Sequence, residues 1–169
     1  MSIATRQDRM PSPSRRTVRT AVAVGTASLG LLALSGCSAP TPVTTATVGG
    51  NSVSSEASCY NDGKALAQSK FDNCLKENKG DTFAIGTGDK LRVGVEPDVA
   101  ETGWSIYIDG QPVTQPINKT YYSLPGEAFF QQQSPTGQTS MSNQARLAIV
   151  ETDGSTAKGV WHLKLKNES

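Results

Sequence analysis

One histidine and three cysteines are all the imidazole and thiolate ligands this chain of 169 residues contains. A four-ligand zinc site would consume every one of them, and His162 lies far from Cys37, Cys59 and Cys74, so neither a metal nor another cofactor is expected. Basic runs are also missing, which removes the electrostatic footprint of a nucleic-acid binder. The longest apolar run, Ala21–Leu34, has 14 residues, short of the roughly 20 needed for a bilayer-spanning helix. No serine or cysteine sits in a nucleophile context such as Gly-x-Ser-x-Gly, and no repeat of fixed period occurs.

What is present starts with that apolar run. Arg15, Arg16 and Arg19 precede it and small residues close it, the layout of an export signal. Its end, Leu34-Ser35-Gly36-Cys37, resembles the lipobox of bacterial lipoproteins. The resemblance implies that residues 1–36 are a signal peptide cut before Cys37. The Cys37 thiol then receives a diacylglyceryl group and the new amino terminus an acyl chain such as palmitate. Two or more chains hold a protein on a bilayer durably, where one is marginal. The expected location is the outer face of the cytoplasmic membrane, facing away from the cytoplasm. Ser14-Arg15-Arg16-Thr17-Val18-Arg19 also resembles a twin-arginine export signal, although Val18 and Arg19 stand where that family has large apolar residues. Both export routes stay open.

The signal contains Arg6, Arg9, Arg15, Arg16, Arg19 and Asp8, so of 16 basic and 15 acidic residues the mature chain keeps 11 and 14, a formal charge near −3. With Cys37 lipidated, Cys59 and Cys74 remain as an isolated pair, most simply a disulfide in an oxidising compartment.

Residues 37–43 are expected to form the lipidated cysteine and a short tether, with Pro40 and Pro42 favouring extended backbone. Residues 44–169 carry one domain. Val43–Val48, Val53–Tyr60, Thr82–Ile85, Lys90–Val95, Trp104–Asp109, Gln111–Thr114, Thr120–Leu124, Gln144–Thr152 and Lys158–Lys166 read as strands. Asp109-Gly110 and Asp153-Gly154 supply hairpin turns. Ala67, Phe71, Cys74 and Leu75 recur at helical spacing within Gly63–Asn78, capped by Asp62 and ended by Gly80. The competing reading places Phe71–Leu75 in a strand facing Cys59. Glu127–Gln133 is expected as a short helix that plugs the core with Phe129 or Phe130, and Ser134–Ser142 as an exposed loop. The sum is a mainly β fold, an Ig-like antiparallel β-sandwich with one or two short helices and with Trp104 and Trp161 inward.

Among chemistry-bearing residues, alternation puts His162 beside Lys164 and Lys166 and opposite Trp161, on a solvent face. Glu96, Asp98 and Glu101 cluster before Trp104 in what reads as a solvated turn. Gly88–Val95 followed by Glu101-Thr102-Gly103-Trp104 resembles part of the chagasin-like cysteine-protease inhibitors, which implies that Thr102, Gly103 and Trp104 enter a protease cleft. The glycine-rich and Arg-Pro-aromatic loops of that family have no counterpart here. The whole pattern, including Ala57–Gly63 and Gly159-Val160-Trp161, resembles a family of small actinobacterial secreted lipoproteins that brings no activity with it. The expectation is a monomeric, membrane-tethered, non-enzymatic binding or scaffolding module with an envelope protein as partner. Its candidate contact loops are Glu96–Gly103 and Ser134–Ser142. The alternatives are the protease inhibitor, or an envelope hydrolase using Glu96, Asp98, Glu101 or His162.

Overall fold

A computed structural model describes residues 40–86, 88–133, 137 and 139–168. The signal peptide, Cys37, residues 38 and 39 of the tether, and residues 134–136 and 138 of one candidate loop lie outside the described residues. Among the described residues, no helix is long and apolar enough to cross a membrane.

The elements in order are β1 (Val43–Val48), β2 (Asn51–Glu56), β3 (Cys59–Tyr60), α1 (Gln68–Leu75), β4 (Thr82–Ile85), β5 (Lys90–Val95), α2 (Pro97–Thr102) and β6 (Trp104–Ile108). Then follow β7 (Gln111–Pro112), β8 (Tyr121–Pro125), a 3₁₀ turn (Gly126–Phe129), β9 (Gln131–Gln133), β10 (Thr139–Met141), β11 (Gln144–Asp153) and β12 (Thr156–Asn167). Two sheets form the sandwich. The smaller runs β2-β1-β5-β8 and the larger β3-β12-β11-β6-β7. β4 shares the outer edge of β12 with β3 and pairs there in parallel, whereas the pairings along both sheet paths are antiparallel.

Alternation explains the inner layer. Thr44, Ala46 and Val48 of β1 and Leu91, Val93 and Val95 of β5 point inward, while Lys90 and Arg92 stay exposed. They meet Trp104, Ile106, Leu147, Ile149, Trp161, Leu163 and Leu165 of the larger sheet in one core. Phe129 and Phe130 both join it, each about 1% exposed. The β6–β7 hairpin turns at Asp109 (φ 49°) and Gly110 (φ 84°), the paired positive angles of a type I′ turn.

The second face of the larger sheet is covered too. Ala148, Val150, Ala157 and Val160 pack with Leu66 and Cys74, and with the half-buried Cys59, Phe71 and Leu75. This makes α1 a third layer, joined to the sheet by the Cys59–Cys74 disulfide. The segment is therefore helical, and Cys74 faces the sheet, buried. It starts later than the Asp62 cap would place it. Asp62 and Gly63 form a turn with positive φ, and the helix begins after Ala67 with no side-chain cap. It ends at Lys76, before Gly80.

Three further expectations are corrected. His162 is buried, only 2% exposed, because α1 and the segment after it cover the face that alternation alone assigns to solvent. The Glu127–Gln133 helix shrinks to one 3₁₀ turn, since Gln131–Gln133 pairs with Thr139–Met141 and the end of the Ser134–Ser142 loop becomes a strand. The acidic turn before Trp104 is α2, with Pro97 in its first turn where a missing N–H costs nothing.

Cys59→Ala is expected to lower stability by about 3 kcal/mol for a closed loop of this length. Urea unfolding measures the loss, and hydrogen exchange should show α1 opening before the two sheets.

Candidate functional site

The site is the end of the sandwich at which β1 begins. β5 finishes at Val95, and Glu96 holds extended backbone (φ −65°, ψ 155°) as it enters α2. One Glu96 carboxylate oxygen, Oε1, accepts the Val43 amide at 2.9 Å, tying the start of β1 to α2. Thr102 donates to the Asp98 carbonyl at 3.0 Å, and the Gly103 amide donates to Val99, closing the helix. The Gly103 carbonyl accepts the Thr152 amide at 2.8 Å, which docks the helix end on β11. Glu96, Asp98 and Glu101 remain exposed, Thr102 is half-buried and Gly103 is buried.

Trp104 is fully buried and its indole N–H donates to the Lys119 carbonyl at 2.8 Å. A side chain fixed in this way belongs to the core and cannot enter a protease cleft, contrary to the role that the inhibitor resemblance implies. The exposed face of this segment is that of Glu96, Asp98 and Glu101.

Strand register adds two residues that the sequence reading left out of the site. Tyr60 pairs with Gly159, Gly159 with Glu151, and Glu151 with Trp104, so the four form one row across β3, β12, β11 and β6. Directly paired residues share a face, which here is the inner one. Gly159 has to be glycine. A Cβ there would stand 2.6 Å from the Trp161 ring and 3.0 Å from the Tyr60 ring. Those rings lie 6.2 Å apart at 50°. The Trp161 indole N–H donates to the Pro42 carbonyl at 2.7 Å, so the chain immediately before β1 is also fixed here.

Glu151 is an acid on an inner face, only 4% exposed, and its Oε2 has no hydrogen-bond partner. Burial raises its pKa above the usual carboxylate range; the Thr102 hydroxyl and the Lys158 ammonium oppose the shift, and Asp153 and Asp98 add to it. The Tyr60 phenol is raised as well, first by burial and then by the fields of Glu151, Asp62, Asp98 and Glu96. Four carboxylates thus bear on one tyrosine. The period-two pattern Ala145, Leu147, Ile149 extends to Glu151, which was the available sequence signal.

His162 lies elsewhere, on the opposite face of β12 from Trp161. Its Nδ1 is 3.2 Å from the Ser58 Oγ, and its Nε2 is buried without a partner. Burial lowers its pKa, with Glu77 raising it and Lys79 and Arg146 lowering it further. Neither Glu96, Asp98 nor Glu101 is among the charges acting on it. Among the described residues, the one set of His, Cys, Asp and Glu ligand atoms lying within 4.8 Å of one another is Cys59, Cys74 and Glu77. The two sulfurs there are bonded to each other and offer no thiolate.

No protein-family model, curated protein or solved structure matches the chain.

The lowered His162 pKa fixes a sign. As pH falls through about 6.5, the unfolded chain takes up a proton that the folded chain refuses, so stability declines. Urea midpoints of the wild type should drop between about pH 7 and 5, and His162→Gln should flatten that part of the profile.

Proposed function

We propose that the protein is a lipid-anchored, non-enzymatic binding module on the outer face of the cytoplasmic membrane, and that its contact surface is the α2 end of the sandwich. The observation that carries this reading is the short stretch of sequence between Cys37 and the start of β1. Six residue steps separate Cys37 from Val43, a contour of at most about 20 Å. Val43 is itself bonded to Glu96. With Cys37 acylated, α2 is held close to the lipid headgroups, and a partner meeting it lies at the membrane surface.

Two features support binding over catalysis. Asp98 and Glu101 of α2 face outward, and His162, the one histidine of the chain, is enclosed on the far face of the larger sheet. A short helix fixed at both ends on a rigid sandwich is also the kind of scaffolded segment that carries recognition. The second candidate loop offers less, since Thr139–Met141 is already paired with Gln131–Gln133.

Cys37→Ala is expected to move the protein from the membrane fraction to the soluble extracytoplasmic fraction, followed by fractionation and blotting; unchanged membrane retention would refute the anchor. Replacing the exposed side chains of residues 96–103 (Asp98 and Glu101 to serine), with the buried Val99 and Ala100 and the β1-tying Glu96 kept, should abolish cross-linking to envelope proteins while the anchored protein stays at its normal level.

A further inference from the structure

The helical layer covers only part of the outer face of the larger sheet. α1 ends at Lys76, and the chain returns to the sheet edge as β4. Next to that end, strand register lays one polar row across the sheet. Thr82 of β4 pairs with Lys164 of β12, Lys164 pairs with Arg146 of β11, and the Arg146 carbonyl accepts the Asp109 amide at 2.9 Å. All four residues line one cavity of about 270 Å³, and Asn78 and Gln144 add amide side chains to its wall.

Two cations stand directly opposite each other in this row, an arrangement that destabilises a pair of strands. Arg146 is compensated. Its Nε lies 3.4 Å from Asp109 Oδ1, and its Nη1 donates to the Lys76 carbonyl at 3.3 Å. Lys164 is not compensated, although it is half-buried. The ion pairs among the described residues join Lys79 to Glu77, Arg146 to Asp109 and Lys158 to Asp153, and none includes Lys164. Both bonds from Arg146 to the Asp109 carboxylate fall on Oδ1, which leaves Oδ2 open.

We propose that this recess binds a small α-amino or α-hydroxy carboxylate. The ligand carboxylate lies against Lys164 and the free edge of Arg146 and supplies the counter-charge that the row lacks. The ammonium or hydroxyl on its α-carbon donates to Asp109 Oδ2. One unspent cation suits a singly charged anion, and Asp109 repels a second negative charge, so a carboxylate fits better than a phosphate dianion. The cavity is at the small end of the range for ligand sites, the size of an amino acid rather than of a nucleotide. A second cavity of about 400 Å³ borders the same Arg146–Asp109 pair and gives a substituent room to extend past Leu75. The recess lies about 20 Å along β11 from Thr152, where α2 docks. It is therefore separate from the contact surface proposed above, and neither depends on the other.

The test is saturation-transfer-difference NMR on the acylated full-length protein in deuterated neutral-detergent micelles. The probes are the common amino acids, lactate and glycerate, with inorganic phosphate as competitor. Saturable transfer to a carboxylate is expected, and it should vanish for the methyl ester of the same compound. Lys164→Gln should weaken binding about tenfold or more. Asp109→Asn keeps a residue that tolerates the positive φ of the turn, and should weaken amino acids more than hydroxy acids. Thermal unfolding confirms that each variant is folded. Transfer confined to amino acids, or to lactate and glycerate, identifies which of the two sources the recess takes. No transfer to any probe, or wild-type affinity in Lys164→Gln, would overturn the proposal. Displacement by phosphate at lower concentration than any carboxylate requires would overturn the carboxylate assignment.

Discussion

The β11–β12 hairpin buries both of its faces, and that requirement organises the domain. Ile149, Leu147, Trp161 and Leu163 on one face are covered by the smaller sheet. Val150, Ala148 and Val160 on the other need a second cover, which a two-layer sandwich does not supply. An eight-residue helix is too short to be stable alone. It persists because its apolar side contacts that face and because Cys74 is bonded to Cys59, which is itself paired through β3 to β12. The disulfide and the double-sided hairpin are thus parts of one solution.

Much of this was legible in the residues. Period-two alternation located the strands and named their inward residues, Asp109-Gly110 marked its turn, and the cysteine pair followed once Cys37 was set aside. What alternation cannot provide is the number of layers. It separates two faces of a strand without saying whether either is covered, so His162 reads as exposed beside Lys164 and Lys166. Those lysines lie further along β12, where Lys166 does reach solvent, while His162 sits beneath the helical layer. The short pairing of β9 with β10 was equally hidden, because three glutamines carry no period that favours a strand.

The candidate site divides along the same line. Glu96, Asp98 and Glu101 were visible as a local cluster. Tyr60 and Glu151 are distant in sequence and come into one row, on either side of Gly159, only through the register of three strands. Trp104 shows the opposite case. Its place beside Thr102-Gly103 invites a recognition role, yet the inward alternation of β6 already marked it as core, and its bonded indole agrees. Where a local motif and a strand's facing disagree, the facing governs what a side chain can touch.

The position of β1 has a mechanical meaning. It is the first strand after the expected anchor, and it lies between β2 and β5, hydrogen-bonded along both edges. A pull transmitted from the bilayer would run along its axis and load both ladders together in shear, with the Pro42–Trp161 and Val43–Glu96 bonds at the entry point. Had the chain entered through an edge strand such as β8, the same pull could open the sheet one bond at a time. An anchor attached through this interior strand would pull on one of the parts of the domain that is hardest to peel away.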